Sequence, residues 1–138
     1  MAVAKRYRIL IVDDDALICS ALQQALKAEN RRIDVAPRGE DAARLIAKAD
    51  YNVVLVDVMM PGMSGLDFVR SLKERGSRSK AVVMTGYPTS ATAERADRLG
   101  VYAFLPKPFL MEEVRRLVER ALDLSPDDSD ACRNGNGG

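Results

Sequence analysis

Val53-Val54-Leu55-Val56-Asp57 is a run of four branched apolar residues closed by a carboxylate. A run this short and this apolar, bounded by polar residues, reads as a strand buried on both faces, the condition of a central strand in a parallel sheet. Two other segments repeat it: Ile9-Leu10-Ile11-Val12, followed by Asp13-Asp14-Asp15, and Ala81-Val82-Val83-Met84, followed by Thr85. Two weaker strands flank them. Ile33 and Val35 alternate around Asp34, which suits an edge strand covered on one side, and Ala103-Phe104-Leu105 stops at Pro106, which cannot donate to a ladder.

Segments with a 3.6-residue apolar period lie between the strands and after the last one. Their stripes are Ile18, Leu22, Ala25 and Leu26; Ala42, Leu45 and Ile46; Leu66, Val69 and Leu72; Ala93, Ala96 and Leu99; and Val114, Leu117, Val118 and Ala121. Strict alternation of strand and helix implies right-handed crossovers and a doubly wound α/β sandwich. With the three buried runs at the centre, the expected fold is a flavodoxin-like (βα)5 sandwich around a parallel five-stranded sheet of order 2-1-3-4-5.

A chain of 138 residues with 47% apolar content supplies one packed core, which we place at residues 1–124. Residues 125–138 carry almost nothing to bury and read as a disordered polar tail or linker, with no output module after them. The 21 basic and 20 acidic residues leave a net charge of +1, which argues against nucleic-acid contact and against a membrane surface. No apolar run approaches the roughly 18 residues that span a bilayer, and Met1–Arg8 lacks the apolar centre of a signal peptide. The expected location is cytoplasmic, and Cys19 and Cys132 are expected to be free thiols. The chain has no histidine, so its chemistry must run on carboxylates, hydroxyls and lysines.

In an open parallel sheet, ligands bind beyond the carboxyl ends of the strands, near the point where the winding reverses. The residues at those ends are Asp13, Asp14 and Asp15, then Asp57, Thr85 and Lys107. Carboxylates on strands about 5 Å apart repel strongly in a cleft, so Asp13, Asp14 and Asp57 call for a cation. Oxygen ligands with open water positions suit Mg2+. Lys107 adds a second positive charge and Thr85 a hydroxyl, which together make an anion site facing a carboxylate nucleophile. Asp57, at the end of the central strand, is the best nucleophile for phosphorus, and Asp15 is placed to cap the helix that begins near Ala16.

These strings together resemble the response-regulator receiver domains of two-component signal transduction, from Arg8 to about Leu124. The resemblance rests on Ile11-Val12-Asp13-Asp14-Asp15, on Val56-Asp57 through Ser64-Gly65, on Met84-Thr85-Gly86-Tyr87 and on Phe104-Leu105-Pro106-Lys107-Pro108-Phe109. It implies that Asp57 is the phosphoacceptor, and that Asp14, Asp57 and the main-chain carbonyl of Met59 bind Mg2+ with Asp13 assisting through water. It also implies that Thr85 follows the phosphoryl oxygen, that Lys107 pairs with it, and that Phe104 is an aromatic switch. A cis peptide is expected at Lys107–Pro108. The implied donor is a histidine kinase or histidine phosphotransfer protein. The implied response is a changed surface on the fourth helix, fifth strand and fifth helix, read by a downstream effector or by a phosphorylation-dependent homodimer. Such a domain is not an enzyme beyond self-catalysed phosphotransfer and autodephosphorylation. Two departures stand out: Leu110 where a capping Asp is frequent, and Val101 where a small Ala is frequent.

Three rival readings fit less well. A haloacid-dehalogenase-type phosphatase needs an acid two residues after its nucleophile, where Met59 stands. A flavodoxin-like cofactor binder wants a phosphate-cradling loop after the first strand, where three aspartates would repel the phosphate. A degenerate receiver used only for interaction has no reason to retain nucleophile, acid pair, hydroxyl and lysine together. Met59 and Tyr87, each two residues beyond a key position, are expected to obstruct an attacking water and prolong the phosphorylated state to minutes or hours.

Overall fold

The computed structural model describes residues 5–123. Five strands, β1 (Tyr7–Val12), β2 (Arg31–Ala36), β3 (Val53–Asp57), β4 (Lys80–Thr85) and β5 (Ala103–Pro106), alternate with five helices. The helices are α1 (Ala16–Leu26), α2 (Gly39–Ile46), α3 (Gly65–Glu74), α4 (Ser90–Arg98) and α5 (Met111–Asp123). The strands form one sheet of order β2-β1-β3-β4-β5, every pair parallel, as the apolar runs predict. The expected polar tail lies outside the described residues.

Alternation along the central strands sorts the core into two layers, because successive side chains point to opposite faces. Leu10, Val12, Val54, Val56 and Val83 pack with Ala42 and Ile46 of α2, with Leu66, Phe68, Val69 and Leu72 of α3, and with Ala96 of α4. Ile9, Ile11, Val53, Leu55, Val82 and Met84 pack with Cys19, Leu22 and Leu26 of α1 and with Val114, Val118 and Ala121 of α5. Each fully buried Val, Leu or Ile stabilises the fold by about 1.5–3 kcal/mol relative to exposure. A one-residue slip of β3 would exchange the two layers, so the register Asp57↔Met84 is set by packing.

Helix starts follow local chemistry. Asp15 caps α1 by accepting from the amides of Leu17 and Ile18, Ser64 caps α3 through Asp67 N, and Thr89 caps α4 through Thr92 N. Leu110 offers α5 no side-chain cap. Instead Glu113, three residues on, reaches back to accept from Leu110 N at 3.4 Å, half of a capping box.

The fourth stripe behaves differently from the sequence expectation. Of Ala93, Ala96 and Leu99, only Ala96 is buried, while Ala93 is exposed and Leu99 is half-buried beyond the last turn. Small side chains give α4 little apolar surface to bring to the sheet.

Candidate functional site

The site residues sit where backbone pairing ends. Asp57 and Thr85 are the last residues of β3 and β4, one position further into their strands than the apolar runs alone suggest. Ladder-like bonds continue past the strands: Asp13 N donates to Ala36 O at 3.1 Å, Val58 N to Met84 O at 2.9 Å and Lys107 N to Thr85 O at 2.7 Å. The side chains of Asp13, Asp57, Thr85 and Lys107 are thus carried on extended backbone whose hydrogen bonds are made by neighbouring strands. The Lys107–Pro108 peptide is cis, as expected.

Carboxylate oxygens of Asp13, Asp14 and Asp57 lie within 4.8 Å of one another. Asp13 and Asp57 are buried, whereas Asp14 is exposed. Lys107 Nζ donates to Asp13 Oδ2 at 2.9 Å and stands 3.4 Å from Asp57 Oδ2. The other Asp13 oxygen accepts from Asp15 N at 2.9 Å, so both Asp13 oxygens are engaged by the protein. Among the described residues no donor reaches the carboxylate of Asp14. Asp57 Oδ1 receives only a long bond, 3.4 Å from Met59 N. This oxygen-only group, with Asp14 and Asp57 under-satisfied, fits a hard divalent cation such as Mg2+.

Burial pushes the Asp57 carboxyl up from its ordinary value, and the Asp13 charge adds to the effect against the opposing pull of Lys107. For Lys107 burial works against the ammonium, yet the bonds and charges of Asp13 and Asp57 outweigh it and raise its pKa. The site therefore holds three carboxylates against one ammonium, and a cation relieves the excess.

Thr85 is fully buried and its Oγ1 accepts from Tyr87 N at 3.0 Å, leaving the hydroxyl proton available to another acceptor. Phe104 pairs with Val83 across the β4–β5 ladder and is partly buried against the α2–α4 layer. Met59 and Tyr87 are exposed, 61% and 73%, at the mouth of the site. Two supports escaped sequence reasoning. A Cβ on Gly65 would fall 2.1 Å from the carbonyl oxygen of Asp57, so the start of α3 presses directly on the Asp57 backbone. Its signal was the glycine directly after the capping Ser64. The Cys19 thiol donates to Asp13 O at 3.3 Å, and burial pushes its pKa to about 11, which fits an inert thiol.

An apolar shelf borders the acidic cluster, lined by Ile18, Gly86, Lys107, Pro108, Phe109 and Met111. Leu17, Met59, Tyr87 and Leu110, the large exposed apolar residues, all follow the C-terminal end of a strand.

Comparison with known proteins gives a consistent answer. Residues 9–119 match the family model described as the response regulator receiver domain. The chain is 34% identical over 117 residues to the regulatory protein AtoC of Escherichia coli (strain K12), an alignment covering 85% of this chain and 25% of AtoC. It is 35% identical to the response regulator MprA of Mycolicibacterium vanbaalenii, covering 88% of this chain and 53% of MprA. The chain thus spans between a quarter and about half the length of these relatives. Among solved structures, a CheY-like response regulator receiver domain protein from Methanospirillum hungatei JF-1 superposes with a TM-score of 0.80 at 27% identity, covering 86% of this chain and 95% of that one. With matched sequence, matched fold and an acidic cluster at the strand ends, this chain belongs to the response regulator receiver domain family, the phosphoacceptor modules of two-component signalling.

Proposed function

We propose that Asp57 accepts a phosphoryl group from the phosphohistidine of a histidine kinase or histidine phosphotransfer protein, with Mg2+ held by Asp14, Asp57 and the Met59 carbonyl. The observation that carries this reading is the Asp57 carboxylate, buried beside two further acids and 3.4 Å from the Lys107 ammonium. Attack by an Asp57 oxygen forms a phosphorus–oxygen bond as the phosphorus–nitrogen bond of the donor imidazole breaks. Strands β3 and β1 hold nucleophile and acid pair in place, so catalysis here is positioning and charge neutralisation. Mg2+ held there would supply charge for the phosphoryl oxygens, and the Lys107 ammonium, 3.4 Å from Asp57 Oδ2, would add a second positive charge to them. Thr85 has a hydroxyl proton to give once a phosphoryl oxygen is present. Its movement leaves room for the Phe104 ring, and the surface of α4, β5 and α5 changes for a downstream effector, which includes a second copy of the domain. The apolar shelf and the exposed Leu17 and Leu110 beside the acids supply a surface on which the donor protein seats. The domain acts as a signalling phosphoacceptor with self-catalysed transfer and autodephosphorylation, in the cytoplasm. No helix among the described residues is long and apolar enough to cross a membrane.

The test is incubation with acetyl phosphate and Mg2+, read by intact mass. A gain of about 80 Da, one phosphoryl group, is expected in the wild type and not in Asp57→Asn. Persistent labelling of the variant would remove Asp57 from the role. Asp14→Ala should weaken Mg2+ binding more than Asp13→Ala, because both Asp13 oxygens already have protein donors. Equal losses in a calorimetric titration would reject that division.

A further inference from the structure

The end of the sheet opposite Asp57 carries a hollow of about 750 Å³ that the phosphoacceptor chemistry does not use. It lies below the first residues of β1, β3 and β4 and between the last turns of α3 and α5. Four cations line it, Lys5, Arg75, Arg78 and Lys80, against the single carboxylate of Asp50. Arg78 and Lys5 have no acidic or hydrogen-bond partner among the described residues, and Arg75 makes only a 3.5 Å contact to the Ile46 carbonyl. Ile46, Leu72 and Leu122 give the hollow an apolar floor. A cluster of cations around a cavity of this size, with one acid to balance it, fits an extended anionic segment better than a single small anion.

The sequence supplies that segment at the rim. Ala121 and Leu122 line the hollow, and Lys80 Nζ donates to Ala121 O at 3.2 Å, which ties the last turn of α5 to its wall. The chain therefore leaves α5 at the edge of the cationic cluster. The residues that follow are Leu124-Ser125-Pro126-Asp127-Asp128-Ser129-Asp130, an apolar side chain and then three carboxylates within four positions. Four residues of extended chain span up to about 14 Å, so Asp127 can lie up to that distance from Asp123 at the rim.

We propose that this hollow is the docking site of the chain's own acidic segment Asp127–Asp130, with Arg75, Arg78 and Lys5 as its counter-charges. Each exposed ion pair is weak, but tethering supplies an effective concentration on the order of millimolar, which favours this segment over an untethered acid. Docking fixes the direction in which the chain leaves the domain, along the face remote from Asp57. The interaction is independent of phosphorylation chemistry and sensitive to salt, since its charges are near the surface.

The experiment uses the full chain carrying a nitroxide on Cys132, two residues past Asp130; Cys19 is buried and its thiol pKa lies near 11, so it stays unlabelled. At low ionic strength the backbone amides of residues 75–80 should lose NMR peak intensity in preference to the rest of the domain. That loss should disappear in the combined Asp127→Asn, Asp128→Asn, Asp130→Asn variant. Arg75→Glu with Arg78→Glu should abolish it as well, and adding Asp127→Lys, Asp128→Lys and Asp130→Lys to that background should restore it. Broadening spread evenly over the domain, or unchanged in the triple variant, overturns the proposal. So does broadening of unlabelled 15N protein mixed with labelled chain, which assigns the hollow to a second copy. Shifts at residues 75–80 caused by inorganic phosphate equally in wild type and triple variant assign it to an external anion, and likewise overturn it.

Discussion

Helices α3 and α4 lie against the same face of the sheet and have nearly equal length, yet they are held very differently. α3 buries Gly65, Leu66, Phe68, Val69 and Leu72, and Phe68 is wholly enclosed. α4 buries Ala96 alone and is tied to α3 through an Arg95–Asp67 ion pair at 2.7 Å between partly exposed side chains. The element after Asp57 is thus anchored, and the element after Thr85 is lightly attached. Under the proposed function, a phosphoryl group on Asp57 would have a fixed platform on one side and a yielding one on the other, and the yielding side is the one able to convert a small displacement into a new surface. Regions with few buried apolar contacts open at low free energy, so α4 amides should exchange with solvent sooner than those of α3.

The contrast is broken most severely by emptying the α3 side. Phe68→Ala should cost about 3–5 kcal/mol of stability, because a large ring leaves a cavity in a close-packed layer. Urea denaturation measures it, and a cost near that of a surface substitution would show that α3 is not the anchor.

A smaller effect is expected at the mouth of the site, where Met59 belongs to the anchored side and Tyr87 to the mobile one. Met59→Asn adds an amide that can hold a water in line with the acyl phosphate, and should speed dephosphorylation about tenfold, roughly 1.4 kcal/mol in the barrier. Phosphate release from purified phosphoprotein in excess Mg2+ reads this directly. Wild-type decay within seconds, or no acceleration in the variant, rejects the shielding role.

Charge relief at Asp57 comes next. Burial and the Asp13 charge raise Asp57 above its ordinary 3.8, so the folded state holds the proton more tightly than the unfolded chain does. The folded domain therefore loses stability as pH rises from 3.8 through the raised folded value, and the cost is constant above it. Asp57→Asn removes that cost, and should raise the metal-free Tm at neutral pH. The gain should fade as pH falls towards 3.8; a gain independent of pH would point to a cause other than ionisation.

The smallest effect tests the lightly held side. Ala93 is exposed on α4, so Ala93→Gly should cost no more than about 1 kcal/mol, the helix-propensity difference alone. Hydrogen exchange should show that cost confined to α4, with α3 unchanged. A loss spread over both helices would mean that they unfold as one unit.

Much of the fold was legible beforehand because its determinants are local. Runs such as Val53–Val56 announce strands buried on both faces, and the difference between them and Ile33-Asp34-Val35 separates centre from edge. Once the order is fixed, the strand ends that carry Asp13, Asp14, Asp57, Thr85 and Lys107 must converge, since parallel strands present their carboxyl ends on one side. The fourth stripe was less legible. Periodicity reports which residues could face the sheet and says nothing about how closely a helix made of small side chains will lie on it.

The sequence by itself determined the strand order, the placement of Asp13, Asp14, Asp57, Thr85 and Lys107 at the strand ends and the capping of α1 by Asp15, because each depends on residue type and spacing along a few positions. Only the tertiary structure decided that Lys107 pairs with Asp13 as well as Asp57, and that Gly65 must lack a side chain to clear the Asp57 carbonyl. It alone brought Arg75 and Arg78 beside the end of α5. These are distances between residues far apart in the chain, and they follow from how the two helical layers pack on the sheet.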